Sequence, residues 1–407
     1  MKIWIKTLVA IFLAIICGLF IPLSWSWVIS AFDFISGFSL SFMRYILFPL
    51  IFFSLTIRCF ELQKQRQLQK TLLISTSLIT GSSLIFSIVG ALLAFTLHRL
   101  PINALKQSKN LSIPSIQETL NQIFPDNLFQ IFTTDGNFLI PLVLFSLILG
   151  TSLNFDKITT RPIAEFFDSF SALFCHINIF FSEIAGYAFF FILSSLIFQL
   201  RNTKDLVLFG EFFILLAIIT LVLIFIIYPL LLFFITKRKN PYKLLFGMFT
   251  PAMGAFISGN LFFSVPISFL HNEKNLGIKH QLNGTITPIT AIIGRSGTAL
   301  VSSATVLFLH ISYTQNISFS TVLLTIILCF LLSFFTGSLH RFNVLATVAL
   351  VFQILGTTKN EYLNLIQVAP LLYCFAALID SIHNTVITYL TAHFIEDSRD
   401  KLLKEFI

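Results

Sequence analysis

Along this chain, long runs that are apolar on every side alternate with short polar or charged connections. Residues 7–32, 71–98, 136–155, 212–236 and 244–272 contain no Asp, Glu, Lys or Arg, and each run supplies the ~20 residues a helix needs to cross bilayer hydrocarbon. Strands of a membrane barrel would alternate polar and apolar positions over ~10 residues. These runs do not alternate, so they predict helices, whose backbone groups are satisfied within the segment. Six spans are expected over 4–28, 38–60, 71–97, 136–154, 163–200 and 206–236. The one long polar stretch, 98–135, carries Pro114 and Pro125 and is expected outside the membrane, partly helical.

After residue 240 the apolar runs are broken by Gly, Pro, Ser and Asn. Phe249–Leu270 is interrupted by Pro251, Gly254, Ser258-Gly259-Asn260 and Pro266, and Val322–Leu355 by Thr336-Gly337-Ser338 with His340-Arg341 behind it. Irregular backbone at membrane depth survives only when buried in protein or lining a cavity. Each interruption therefore predicts a hairpin that enters and leaves the membrane on one side, over 244–272 and 318–358. A span follows each hairpin, over 279–312 and 363–395. Paired interrupted segments are how transporters with inverted repeats build a midplane binding site. The expected fold is all-α and integral to the membrane, with eight transmembrane helices, two re-entrant helical hairpins and inverted repeats. Residues 1–240 form its six-span region and residues 241–407 its transport core.

Composition excludes alternatives. Of 407 residues, 56% are hydrophobic and 11% charged, too little polar surface for a soluble globule of this size. The net charge of +8 reports topology rather than a nucleic-acid partner, because the basic residues punctuate apolar segments. With a cytoplasmic N-terminus, Arg58, Lys64, Arg66 and Lys70 fall inside, as do Lys237, Arg238, Lys239 and Lys243. That asymmetry places both termini in the cytoplasm, and the expected location is a bacterial inner membrane. Lys2 and Lys6 before an apolar run look like a secretory signal, but the later spans favour an uncleaved first helix. The five cysteines are widely spaced, with no metal-type pairing. Trp4, Trp25 and Trp27 bracket the first span as interfacial anchors.

Two polar islands carry the candidate chemistry. Gly294-Arg295-Ser296-Gly297-Thr298 interrupts the seventh span, where a break would free carbonyls able to ligate a cation. Asp380-Ser381-Ile382-His383-Asn384-Thr385 interrupts the eighth, and the helical spacing of Asp380 and Asn384 puts them on one face. Glu183 in the fifth span is a further intramembrane acid, and Arg44 in the second is expected to snorkel toward an interface.

In the order of its parts and in these motifs the chain resembles the glutamate transporter family, the dicarboxylate/amino acid:cation symporters. The resemblance runs over nearly the whole length. Where the family's seventh span reads Asn-Met-Asp-Gly-Thr-Ala-Leu, this chain reads Gly294-Arg295-Ser296-Gly297-Thr298-Ala299-Leu300. The family's first hairpin carries a serine run ending in Thr-Leu-Pro, against Ser258–Pro266 here. In the eighth span Asp380 matches the family Asp, His383 stands at its Arg, Asn384 at its Thr, and Ile387 and Thr391 at its later Asn and Asp. Phe48–Leu55 and Ile140–Gly150 are weaker points of similarity.

The resemblance implies a secondary transporter for a small amino acid or a dicarboxylate-like anion, working as a homotrimer whose interface lies in the early spans. It implies a substrate site drawn from Ser258, Gly259, Asn260, Ser264, Thr298, Thr336, Gly337, Ser338, Asp380, His383 and Asn384, and a coupling site at Gly294, Arg295, Ser296, Asp380 and His383. No bound cofactor is expected; sodium ion and proton stand as alternative coupling ions. A histidine lacks the bidentate grip of guanidinium on carboxylate, so the change at His383 disfavours acidic amino acids. Arg295 brings a permanent charge into a span, at roughly 2.5–3.5 kcal/mol unless paired. Either it stands in for a bound cation, making transport sodium-independent or proton-coupled through His383 or Asp380, or it forms a purely structural pair with Asp380 or Glu183. An intramembrane enzyme using His383 and Asp380 lacks a nucleophile beside them. A transport-deficient paralogue acting as channel, sensor or partner subunit is the remaining alternative.

Overall fold

The computed structural model describes residues 2–97, 127, 129–133, 139–155, 159–203, 206–237, 240–313, 318–337, 343–356 and 365–396. Among them are only helices and their connections. Eight helical stretches are long and apolar enough to cross a membrane. The first is α1 (Ile3–Phe20), shorter than the expected 4–28 because Pro22 in the following turn stops it. Trp25 and Trp27 therefore belong to the turn and to the start of α2 (Ser26–Lys64). With 39 residues, α2 is roughly 60 Å long at 1.5 Å per residue. Then come α3 (Leu68–Phe95), α4 (Ile140–Ser152), α5 (Arg161–Arg201) and α6 (Gly210–Thr236), the last containing one π-helical turn, Leu223–Ile227. Pro141 at its N-terminus starts α4 late, leaving 13 residues where a full span was expected. Of the polar stretch 98–135, only Asn127 and Phe129–Thr133, including the turn Gln130–Thr133, are among the described residues.

Beyond residue 240, α7 (Phe249–Ser258) and α8 (Leu261–Lys274) fold against each other. Their turn takes two residues. Gly259, at φ +60°, ends α7 with its own N–H on Phe256 O and that of Asn260 on Ala255 O, a left-handed cap that glycine adopts without a Cβ penalty. Asn260 is extended and starts α8 by accepting the Phe262 N–H, at 2.9 Å. The seventh span is two helices, α9 (His280–Ile293) and α10 (Ser296–Tyr313). A second helix pair, α11 (Phe319–Thr336) and α12 (Asn343–Ile354), precedes α13 (Ala369–Glu396). The arms differ: α11 is long enough to cross a membrane and α12 is not.

Two packing groups result. α5 lies along both α1 and α2, and α2 also packs on α4. Arg201 ties α1 to α5 by donating to Gly18 O and Ile21 O at 2.7 and 2.8 Å, filling carbonyls a helix end leaves orphaned. The other group centres on α10, which packs on α3, α13, α11 and α12. Small residues of α3 make this approach close. A Cβ at Gly90 would stand 2.1 Å from Leu300 O, so only glycine fits. Ser303 Oγ donates to Ser87 O, and Ser87 Oγ to Ile326 O of α11, each at 2.9 Å. Hydrogen bonds between membrane helices stabilise by only about 0.6–2 kcal/mol each, so close backbone packing carries most of the contact. Thus α3 packs chiefly with the helices after residue 240, and makes only a minor contact with α2.

Candidate functional site

The break in the seventh span is shorter than the five-residue island that marks it. α9 ends at Ile293, and the Arg295 N–H turns back to Ile293 O at 2.9 Å rather than to a carbonyl one turn away. Ser296, Gly297 and Thr298 already form the first turn of α10. Gly294 is a packing glycine, since a Cβ there would stand 2.1 Å from Asn384 Oδ1. Gly297 lets α13 approach in the same way, with Ala376 O only 2.5 Å from its missing Cβ.

Asp380 of α13 is fully buried and closes the start of α10. Its Oδ1 accepts from Gly297 N at 2.6 Å and Thr298 N at 3.3 Å, and its Oδ2 from Thr298 Oγ1 at 2.8 Å. First-turn N–H groups lack partners of their own, and the helix dipole favours a negative charge beside them. Asn343, at the start of α12, donates to the same Thr298 oxygen at 3.4 Å. Asp380, Thr298 and the second helix pair therefore share one hydrogen-bond network.

Arg295 is 1% exposed. Its Nη1 faces Asp380 Oδ2 at 3.8 Å, close enough for charge attraction but too long for a hydrogen bond. Its guanidinium carbon lies 4.7 Å from the centre of the Phe262 ring on α8, a cation–π contact. Gly337, at the end of α11, covers its stem: a Cβ there would stand 2.2 Å from Arg295 Cγ. Both helix pairs thus close on this one side chain. Its Nε and Nη2 are buried and make no hydrogen bond. Glu183 is exposed on α5, so the counter-charge facing Arg295 is Asp380.

Other predicted positions scatter. His383 turns away from the break: Ser82 Oγ of α3 meets its Nε2 at 2.8 Å, and Tyr228 Oη of α6 meets its Nδ1 at 3.0 Å. Its ring packs on Phe86. Three residues along a helix rotate a side chain by about 60°, enough to move it from the break to the α3 face. Ser258 ends α7, and Gly259 and Asn260 form the α7–α8 turn, where Gly259 stands against Tyr373 and Cys374. Ser264 Oγ donates to Leu261 O and lies 3.5 Å from Ser381 Oγ. Thr336 bonds Thr347 across the second helix pair. Ser338, His340 and Arg341 lie outside the described residues. Ser296 Oγ pairs with Ser83 Oγ of α3 at 2.9 Å. Asn384 is buried with neither amide atom hydrogen-bonded, beside a small void of about 10 Å³ lined by Leu261, Val265 and Ala291 as well as Asn272, Thr290 and Thr388.

Phe262, Ser82, Ser83, Tyr228 and Asn343 complete the surroundings without having been singled out as site residues. For Ser83 a signal existed: Ser75, Ile79, Ser83, Ser87 and Gly90 recur at helical spacing on the buried face of α3, whereas Ser82 lies off that face.

A membrane-type helical bundle with one span broken between two helix pairs, and buried charge at the break, has the architecture from which secondary carriers build a substrate site. The chain belongs to the sodium:dicarboxylate symporter family, whose profile matches residues 3–394. It is 22% identical over 318 residues to the neutral amino acid transporter B(0) of Oryctolagus cuniculus, covering 72% of this chain and 58% of that protein. It is 23% identical over 215 residues to excitatory amino acid transporter 1 of Rattus norvegicus, covering 52% of this chain and 39% of that protein. Over 96 residues it is 31% identical to an excitatory amino acid transporter of Caenorhabditis elegans, covering 22% of this chain and 19% of that protein. These matches span less than two thirds of each relative's own length.

Proposed function

We propose that this protein is a secondary carrier that moves a small amino acid or organic anion across the membrane by alternating access, with its cation coupling altered. Family membership and the amino acid transporters among its relatives support a carrier over the enzyme and channel readings. In this reading the α7–α8 and α11–α12 pairs are re-entrant hairpins. They move with α3, α9, α10 and α13 against the group built on α2 and α5. The termini are cytoplasmic.

The observation that carries the altered coupling is Arg295 beside Asp380. Of the family's acidic positions in these two islands, Asp380 alone stays acidic; Ser296 and Thr391 replace the others. Asp380 already accepts three hydrogen bonds and faces a guanidinium. A sodium ion sharing that carboxylate at ~4 Å from the guanidinium would be repelled by about 4 kcal/mol at an effective dielectric constant near 20. Arg295 supplies the positive charge a bound cation would bring, so transport is sodium-independent. Saturable uptake of a labelled panel of amino acids and dicarboxylates into proteoliposomes tests the carrier itself. Absence of uptake for the whole panel would favour a channel, sensor or partner subunit.

A further inference from the structure

We propose that the Nε–Nη2 edge of Arg295 is the receptor for one carboxylate of the transported solute, and that an amino group on the solute is dispensable. This deepens the carrier reading and rests on it for the identity of the cargo.

The guanidinium has two usable edges. One end, Nη1, is turned to Asp380. The opposite edge, Nε with Nη2, presents two parallel N–H donors that are buried and make no hydrogen bond. Leaving charged donors unsatisfied in a buried place is costly, and the spacing of that edge matches the two oxygens of a carboxylate. Phe262 and Asp380 already hold the plane of the guanidinium, so little freedom remains to be lost when the anion arrives.

An amino group finds no comparable receptor. A carboxylate offers about four acceptor positions. On Asp380, Gly297 N, Thr298 N and Thr298 Oγ1 take three, and Arg295 faces the remaining side. A second carboxylate is equally unprovided for. Among the described residues, Arg58 and Arg295 are the buried arginines, and Arg58 is committed to Glu61 and Asp168. Both ring nitrogens of His383 are engaged by hydroxyls.

One cavity shares a residue with the surroundings of this guanidinium. An open cavity of about 290 Å³ is lined by Arg44, Tyr45, Phe48 and Phe262, among others. Phe262 belongs both to that cavity and to the face of the guanidinium, and in this proposal displacement of that one ring admits the solute. The arrangement fits a small solute with a single carboxylate, whether or not it carries an amino group.

The test is thermal unfolding of the purified full-length chain in detergent, titrated with small acids paired with their amides: alanine with alaninamide, lactate with lactamide, and malate as a dicarboxylate. Alanine and lactate should raise the midpoint, the amides should not, and malate should bind no more tightly than lactate. Arg295→Met should weaken acid binding by roughly a hundredfold, the worth of a bidentate charge-assisted pair. Arg295→Lys should weaken it less and keep the preference of acid over amide. That preference is measured on the unaltered protein, so it remains decisive if R295M fails to fold. Equal binding of acid and amide, undiminished binding by folded R295M, or no shift with any acid would overturn the proposal. Uptake of the same compounds separates the two readings: binding without uptake sinks the carrier and keeps the receptor, whereas saturable uptake indifferent to the carboxylate does the reverse.

Discussion

At the scale of single residues, what matters is how few groups share the break. Asp380 does two tasks, holding the first turn of α10 and facing the guanidinium. Asp380→Ala would strand two backbone N–H groups, a hydroxyl and a buried charge, which costs about 3–5 kcal/mol for a buried pair broken on one side. A pronounced fall in the thermal midpoint in detergent is expected; an unchanged midpoint would mean the contacts contribute little. His383→Gln is expected to leave the pH profile of uptake unchanged, since Ser82 and Tyr228 hold the ring on the α3 face. A shifted profile would restore His383 as a proton carrier. Sequence patterning marked both side chains through the polar island, and Arg295 and Asp380 were legible as partners because unpaired charge inside a span is costly. The direction of His383 was not legible. That depends on which neighbours pack around α13, which a 3.6-residue period does not name.

At the scale of elements, glycine and proline carried most of the legible signal. The turn at Gly259-Asn260 is a helix stop joined to a helix start, and both chemistries are local. The break after Ile293 has no such left-handed cap: Gly294 sits at φ −77°, ψ 81°, and is required there by its close approach to Asn384. The role of α3 was harder to see, because its run is apolar and lacks Pro; only the spacing of Ser83, Ser87 and Gly90 hinted that another helix lies close. Gly90→Val would force α3 off Leu300 and Ser303. Overpacking of this kind costs about 1–3 kcal/mol, and because α3 also touches Ser296 through Ser83, ligand affinity should fall together with the thermal midpoint. An unaltered affinity would show that α3 supports the fold without positioning the break.

At the scale of the whole molecule, the hydrophobic pattern defined an all-helical membrane bundle because long apolar runs without alternation have no other stable form in lipid. How the helices group was not in the pattern, since a span apolar on all sides does not announce its neighbours. One face of α5 exposes His176, Phe180, Glu183 and Tyr187, and charge facing lipid is costly. We propose that this face meets another copy in a homotrimer. Cysteines introduced at Phe180 should cross-link chains in membranes, and exclusively monomeric behaviour would refute the assembly. The charge at the break has its own consequence for the whole transport cycle. In the proposed carrier a guanidinium fixed by the chain would travel with it in both directions, unlike an ion that dissociates, and would not draw on a sodium gradient. The most direct measurement is uptake of one transported carboxylate into proteoliposomes with a sodium gradient and without sodium. Equal initial rates in both are expected; uptake that requires the sodium gradient would contradict the replacement of the cation by Arg295.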